Sequence, residues 1–394
     1  MSAALHIDAV EIVPLDIMPK RTPRIATGVY TYSEKGGWAG RPVLVGVRAG
    51  GLVGWGEVRP VNPFVGETAA SIFSNLRDFY APLLLGRNPM EIDGLWHELN
   101  RKLPNNPAAL ATLDMALHDL VGKALGVPVH TLLGGACKTD IPLEWSVNLD
   151  DEKTMVAEAV EIFEKYRAPY ISIKVGPLDR ADVDCRVARA IQKELGPKVF
   201  LGADANTSYD TVTAIRFANQ LADDGLAYFE QPVPSLGEMR WIRERINVPV
   251  MADESVYTIT DALHTVAQGA ADVIAMKFYK CGSLRRMRDI AVIAEAAGMR
   301  ANCAGVARCN YIEAIAAAHV CASIPNHAFG AEFMMGLPSV WEDPIISNRP
   351  IDVKNGFCNV PSGPGLGFEI DAKAVKKYAL ERLVVDKKGA RSLS

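Results

Sequence analysis

Val199-Phe200-Leu201-Gly202-Ala203-Asp204 is an apolar run that ends on a charge, and the same design recurs along the chain. Tyr170-Ile171-Ser172-Ile173-Lys174, Ala227-Tyr228-Phe229-Glu230, Pro249-Val250-Met251-Ala252-Asp253 and Ile274-Ala275-Met276-Lys277 repeat it. Between these runs lie stretches with helical spacing, such as Val183, Val187, Ala190, Ile191, and Met287, Ile290, Ile293, Ala294. Short apolar strands alternating with amphipathic helices predict a parallel sheet. Strands are expected at 143–147, 170–175, 198–204, 227–230, 249–253, 273–278, 300–304 and 328–333. Eight of them suggest a TIM-like barrel, although a doubly wound sheet would give the same alternation.

Working toward the start of the chain, the pattern changes. Residues 41–47 and 52–58 read as two strands joined through Arg48-Ala49-Gly50-Gly51, a turn suited to an antiparallel hairpin. Ala109, Leu113, Ala116, Leu117 and Leu120 then mark the buried face of a helix. Leu132-Leu133-Gly134-Gly135-Ala136 breaks that period and is the natural domain boundary. The expected division is a cap over 1–138, a barrel over 139–345 and a segment over 346–394 that returns to the cap.

Composition excludes several classes of function. The chain has 394 residues, enough for two domains, and an apolar share of 49% that matches a folded globular protein. A net charge of -4 with scattered Lys and Arg gives no footprint for nucleic acid or an anionic membrane. No apolar run reaches the roughly 18 residues of a membrane span, so a cytoplasmic protein with a small-molecule partner is expected. The seven cysteines form no CxxC pair, which argues for reduced packing residues rather than disulfides or zinc.

A charge at the end of a buried strand costs free energy unless it has a partner or a task. Barrel active sites lie at the C-terminal ends of the strands, so Lys174, Asp204, Glu230, Asp253 and Lys277 should converge there. Three carboxylates in one place repel unless a cation neutralises them. An all-oxygen ligand set of Asp204, Glu230 and Asp253 favours Mg²⁺, with Mn²⁺ also suitable, over zinc. Two lysines beside that cation suit removal of a weakly acidic proton next to a carboxylate. Such a base needs a value near neutrality, and lowering a lysine from about 10.4 to about 7.5 takes roughly 4 kcal/mol of environmental bias. Lys280 reads as a solvated or salt-bridged lysine without such a task.

At this point the chain resembles the enolase superfamily, and within it the muconate-lactonizing-enzyme subgroup. The likeness rests on Gly54-Trp55-Gly56-Glu57, Ala116-Leu117-His118-Asp119-Leu120-Val121-Gly122-Lys123, Leu132-Leu133-Gly134-Gly135 and Pro364-Gly365-Leu366-Gly367. It extends to Asp204-Ala205-Asn206, Glu230-Gln231-Pro232, Asp253-Glu254-Ser255 and Lys277 at the strand ends. The resemblance implies an α/β fold, a modified (β/α)₇β TIM barrel with an α+β capping domain built from both termini. It also implies Mg²⁺ on Asp204, Glu230 and Asp253, acid/base roles for Lys174 and Lys277, and frequently a symmetric homo-oligomer. Glu332 is similar to a rim glutamate of the subgroup's cycloisomerases. Ser172, Asn206, Glu254, Glu332 and Tyr30 are expected around the substrate or behind the ligands.

The subgroup usually carries Lys-x-Lys on the second strand, where this chain has Ser172-Ile173-Lys174. Residues 172 and 174 share a face, so Ser172 should point into the site. Losing the neighbouring cation should raise the pKa of Lys174 and weaken the attraction for carboxylates. The Asp-x-Asp pair by which dipeptide epimerases of the subgroup hold an ammonium group is absent, so dipeptides are disfavoured. Arg24-Ile25-Ala26-Thr27-Gly28-Val29-Tyr30 resembles a loop that closes over the substrate in relatives acting on proline-type betaines and amino-acid derivatives, and Tyr30, Trp38 and Phe64 are candidate lid aromatics. The leading expectation is racemisation or epimerisation of an amino-acid-derived or hydroxy carboxylate through a metal-stabilised enolate. The alternatives are a muconate-type cycloisomerase, a β-eliminating dehydratase and a catalytically silent metal- or ligand-binding relative.

Overall fold

The computed structural model describes residues 5–17, 21, 24–29, 41–60, 65–303, 311–332, 345–348 and 351–393. Its strands, in chain order, include β1 (Ile7–Pro14), β2 (Val43–Ala49) and β3 (Leu52–Val58). There follow β4 (Glu144–Val147), β5 (Tyr170–Lys174), β6 (Phe200–Asp204), β7 (Tyr228–Glu230), β8 (Val250–Ala252), β9 (Val273–Ala275) and β10 (Arg300–Asn302), and then β11 (Leu383–Asp386) and β12 (Gly389–Ser392).

The cap sheet is antiparallel, in the order β12-β11-β1-β2-β3. Both ends of the described chain therefore build it, with Val10 opposite Val47 on one side and Val385 on the other. The β2–β3 turn uses Gly50 and Gly51 at φ +55° and +79°, where a glycine has no steric penalty.

Helix α1 (Pro107–Leu125) lies across this sheet, buried from Ala108 to Gly122. Its closeness to β3 explains two glycines of the Gly-Trp-Gly-Glu run. A Cβ on Gly54 would come 2.1 Å from the Ala116 carbonyl oxygen, and one on Gly56 would come 2.0 Å from that of Thr112. The helix start is satisfied by Glu67, whose carboxylate accepts from the Ala108 and Ala109 amides at 2.7 and 3.0 Å. Burial pushes the Glu67 carboxyl up to about 7, against those two donors.

Asp119 of α1 joins three of the sequence motifs. It accepts from the amides of Trp55 and Leu366, both at 2.8 Å, and from Lys123 Nζ at 2.6 Å. Gly365 lies against its side chain so closely that a Cβ there would approach Asp119 to 2.3 Å.

The second sheet is parallel and runs β10-β9-β8-β7-β6-β5-β4. Five of its helices start on side-chain caps placed soon after a strand or its following turn: Asp151, Asp210, Ser235, Thr258 and Ser283 each accept from a first-turn amide. Of the eighth strand expected over 328–333, the described residues 328–332 do not form a continuous strand. Isolated bridges, Ala301 with His327 and Leu143 with Ala331, instead connect this segment to both edges of the sheet. Phe329 adopts φ +60° there, which breaks the extended conformation a ladder requires. No helix among the described residues is long and apolar enough to cross a membrane, and the described cysteines are free.

Candidate active site

Strand register places the charged ends together. Lys174, Asp204 and Glu230 are directly opposed on β5, β6 and β7. Asp253 follows the end of β8, and Lys277 precedes the short helix α2 (Phe278–Cys281) just beyond β9. Asp204, Glu230, Asp253 and Lys277 are all buried.

Two of the three carboxylates, Asp204 and Asp253, are paired with lysines. Lys174 Nζ donates to Asp204 and Lys277 Nζ to Asp253. Lys280, expected without a site role, is 2% exposed and donates to Asp253 Oδ1 and to the Asp253 carbonyl, both at 2.6 Å. It is thus salt-bridged and not solvated, because α2 turns it back beneath the strand end.

The electrostatics describe a site in need of positive charge. Burial raises Glu230 well above the usual carboxylate range, and Asp204 and Asp253 raise it further. Glu254 is pushed up to about 8 by burial, then by Asp253 and Asp204. Burial would raise Asp253 too, but Lys277 and Lys280 more than offset it and hold it below the usual value. For Lys174, burial opposes the charge, yet Asp204, Glu332 and Glu230 outweigh it and hold the ammonium above its ordinary value. Lys277 is likewise held well above its ordinary value: burial lowers it and Asp253 outweighs that. Both lysines thus lie above the value a base needs, because the acids beside them outweigh burial; for Lys174 this is the direction expected from the loss of a cation at position 172.

The motif residues behind the strand ends form one network. Gln231 Oε1 accepts from the amides of Asp253 at 2.7 Å and Ser255 at 3.2 Å, and its Nε2 donates to Ser255 Oγ at 2.6 Å. Asn206 donates to Glu254 Oε1 at 3.0 Å, and its amide to Asp204 Oδ1 at 2.8 Å. Among the described residues, no three His, Cys, Asp or Glu side chains are gathered into a ready metal-binding group. The donor set nevertheless suits a hard divalent cation: the candidate ligands are all carboxylates, and burial, then repulsion from Asp204 and Asp253, raises Glu230 between them.

Beneath this layer the structure reveals residues that sequence reasoning missed. Tyr228 sits opposite Gly202, which sits opposite Ser172. The Tyr228 ring fills the space a Cβ on Gly202 would need, at 2.1 Å, and its hydroxyl donates to Glu144 Oε1 at 2.6 Å. Glu144 on β4 is buried, and burial and then Glu332 push its carboxyl up to about 8. A carboxylate near the start of a strand gives no motif, so only the bulky Tyr228 beside a Gly202 hinted at this layer. Glu332 is buried and close enough to act electrostatically on both Lys174 and Glu144.

The expected lid loop forms a short hairpin of Arg24–Ile25 with Gly28–Val29 on the barrel rim. The Leu149 amide donates to the Arg24 carbonyl at 3.0 Å, and the Arg24 amide to Asn148 Oδ1 at 3.1 Å. Tyr30, Trp38 and Phe64 lie outside the described residues.

Comparison with known proteins bears on this arrangement. Residues 154–374 match the model described as Enolase C-terminal domain-like, and residues 20–134 match that of the mandelate racemase / muconate lactonizing enzyme N-terminal domain. Muconate cycloisomerase 1 of Rhodococcus opacus is 36% identical over 385 residues, covering 95% of this chain and 98% of that protein. The muconate lactonizing enzyme of Pseudomonas fluorescens, solved with muconolactone, superposes with a TM-score of 0.87 at 28% identity, over 96% of this chain and 100% of the other. An N-succinyl Arg/Lys racemase from Bacillus cereus shares the fold, with a TM-score of 0.88 at 23% identity, over 96% of this chain and 100% of the other.

Proposed function

The chain belongs to the mandelate racemase/muconate lactonizing enzyme family of the enolase superfamily and is an isomerase of that superfamily; from this premise we propose that it interconverts the two configurations of a small carboxylate by moving its α-proton between Lys174 and Lys277. The observation that carries the reading is the placement of two lysines, Lys277 buried and Lys174 half-buried, on either side of a carboxylate row, each paired with a different acid of that row. A base on each face is what inversion at one carbon requires.

Asp204, Glu230 and Asp253 would hold a divalent cation, Mg²⁺ in this reading. Bound there, the cation neutralises the carboxylates and supplies positive charge where the substrate's negative charge grows. The remaining work falls to the protein. Lys174 and Lys277, released from Asp204 and Asp253, would lose the partners that hold them protonated, so one can accept the α-proton while the other donates. Lys280 keeps Asp253 in place through its second oxygen, and the Gln231 network fixes the strand-end backbone.

A second reading, cycloisomerisation of a muconate-type substrate, is favoured by the 36% identical relative; there only one lysine would transfer a proton productively. Incubation of candidate carboxylates with Mg²⁺ in D₂O, followed by NMR, separates the two. Inversion with deuterium at the α-carbon supports the first reading, and lactone formation without inversion rejects it.

A further inference from the structure

The second layer of the barrel differs in character from the layer of lysines and carboxylates above it. Ser172, Gly202 and Tyr228 lie side by side across β5, β6 and β7. The glycine leaves room for the Tyr228 ring, which crosses toward β4 and ends on Glu144. The other carboxyl oxygen of Glu144 is buried and takes no hydrogen bond among the described residues, and Ser172 Oγ lies beside the Tyr228 hydroxyl without a well-formed bond. Gly330 packs on the backbone and Cβ of Glu144 from the closing segment.

Among the described residues, the charged groups around this wall are mainly acidic. Glu144 feels Glu332 and Asp204 as well as Lys174, and that lysine is engaged by Asp204. Arg21 comes near Glu332 from the cap, but its guanidinium donates to the Ser146 carbonyl and to Glu158. Position 172, where the subgroup usually places a lysine, carries a hydroxyl. Among the described residues, a second substrate carboxylate directed at this wall would add negative charge where burial and Glu332 already raise the Glu144 carboxyl, and would meet no unengaged cation, whereas a hydroxyl or protonated amine would meet open acceptors.

We propose that Glu144 and Ser172 are specificity-determining residues that admit monocarboxylates bearing a hydroxyl or protonated amine near the α-carbon and reject dicarboxylates. The inference rests on the reading that a carboxylate substrate is held at the strand ends, and it narrows the class of that substrate. Tyr228 acts as a positioning residue, holding one oxygen of Glu144 while the other stays buried without a hydrogen-bond partner among the described residues.

The test uses three five-carbon probes, proline, 2-hydroxyvalerate and glutarate, binding to the Mg²⁺-loaded full chain in calorimetric titrations. The wild type should bind proline or 2-hydroxyvalerate at least tenfold more tightly than glutarate. Glu144→Gln keeps the volume and the Tyr228 contact, and should cut the preference for proline over glutarate by about tenfold. Ser172→Lys should shift preference toward glutarate; if it does not fold, Glu144→Gln decides alone. Equal or tighter glutarate binding by the wild type overturns the proposal, and so does an unchanged preference in Glu144→Gln. Deuterium exchange read on the same samples keeps the two ideas apart. Discrimination without exchange on any probe supports the proposal and counts against proton transfer, whereas exchange on glutarate alone overturns the proposal and leaves proton transfer standing.

Discussion

Lys174 and Asp204 are direct cross-strand partners, and their side chains form an ion pair at the top of the barrel. The pairing places a base and a metal-suited acid next to each other by strand register alone, without a loop. Replacing either lysine, Lys174→Ala or Lys277→Ala, is expected to cut interconversion of the two configurations by about 10²- to 10⁴-fold, the usual worth of a positioned acid or base. Polarimetry together with α-proton exchange in D₂O measures this, and full exchange in both variants would remove the two-lysine reaction.

Divalent cation should stabilise the fold as well as support turnover. Glu230 is buried between two other acids, so a cation that binds only the native state adds about 2.7 kcal/mol at a hundredfold excess over its Kd. Thermal unfolding with Mg²⁺ or Mn²⁺ should show a concentration-dependent rise in Tm. Asp204→Asn and Glu230→Gln should abolish that rise while remaining folded; a rise that persists in both places the cation elsewhere.

Gly54→Ala should destabilise the cap strongly. The added methyl would meet backbone atoms of α1, which cannot rotate aside, so a cost of about 3 kcal/mol, at the upper end of ordinary overpacking, is expected. Gly86→Ala, by contrast, meets open space, although its φ of +78° adds conformational strain. Urea unfolding of the two variants compares a steric collision with strain alone, and a smaller cost at Gly54 would be the wrong order.

Much of this architecture was legible in the sequence because its constraints are local. The apolar runs ending at Asp204 and Glu230 are formed strands, and Gly50-Gly51 makes the hairpin turn, since each is decided by a few neighbouring residues. The region 328–333 misled because its apolar composition reads as a strand, while Phe329 takes a left-handed conformation that composition does not encode. Lys280 and Glu144 were illegible for another reason. Their roles depend on partners 27 and 84 residues away, Asp253 and Tyr228, and pairwise burial at that distance leaves no periodic trace.

Acid should weaken the protein through His327. Burial, then Lys138 and Arg300, push its imidazole down to about 3, so the native ring stays neutral where the unfolded one, near 6.5, takes a proton. Stability from this group is complete above pH 6.5 and falls as the pH drops toward 3, by about 2 kcal/mol at pH 5. Chemical unfolding of wild type and His327→Leu at pH 7.5 and 5.0 isolates the effect from the carboxylates that titrate in the same range. The wild type should lose about 2 kcal/mol more than the variant, and equal losses would contradict a neutral buried ring.

The central cap strand also sets a timetable for synthesis. Glu11 on β1 receives Arg382, which lies 371 residues further along the chain. At ribosomal rates of about 5–20 residues per second, β1 leaves the ribosome roughly 20 to 70 s before the segment that covers its second edge. β2 can pair with the other edge almost at once. Through that interval the nascent cap carries one open row of backbone donors and acceptors, the kind of edge on which chains pair with one another. A message cut short after the barrel would therefore yield a chain with most of its secondary structure and a permanently uncovered strand, a product suited to chaperone capture or proteolysis.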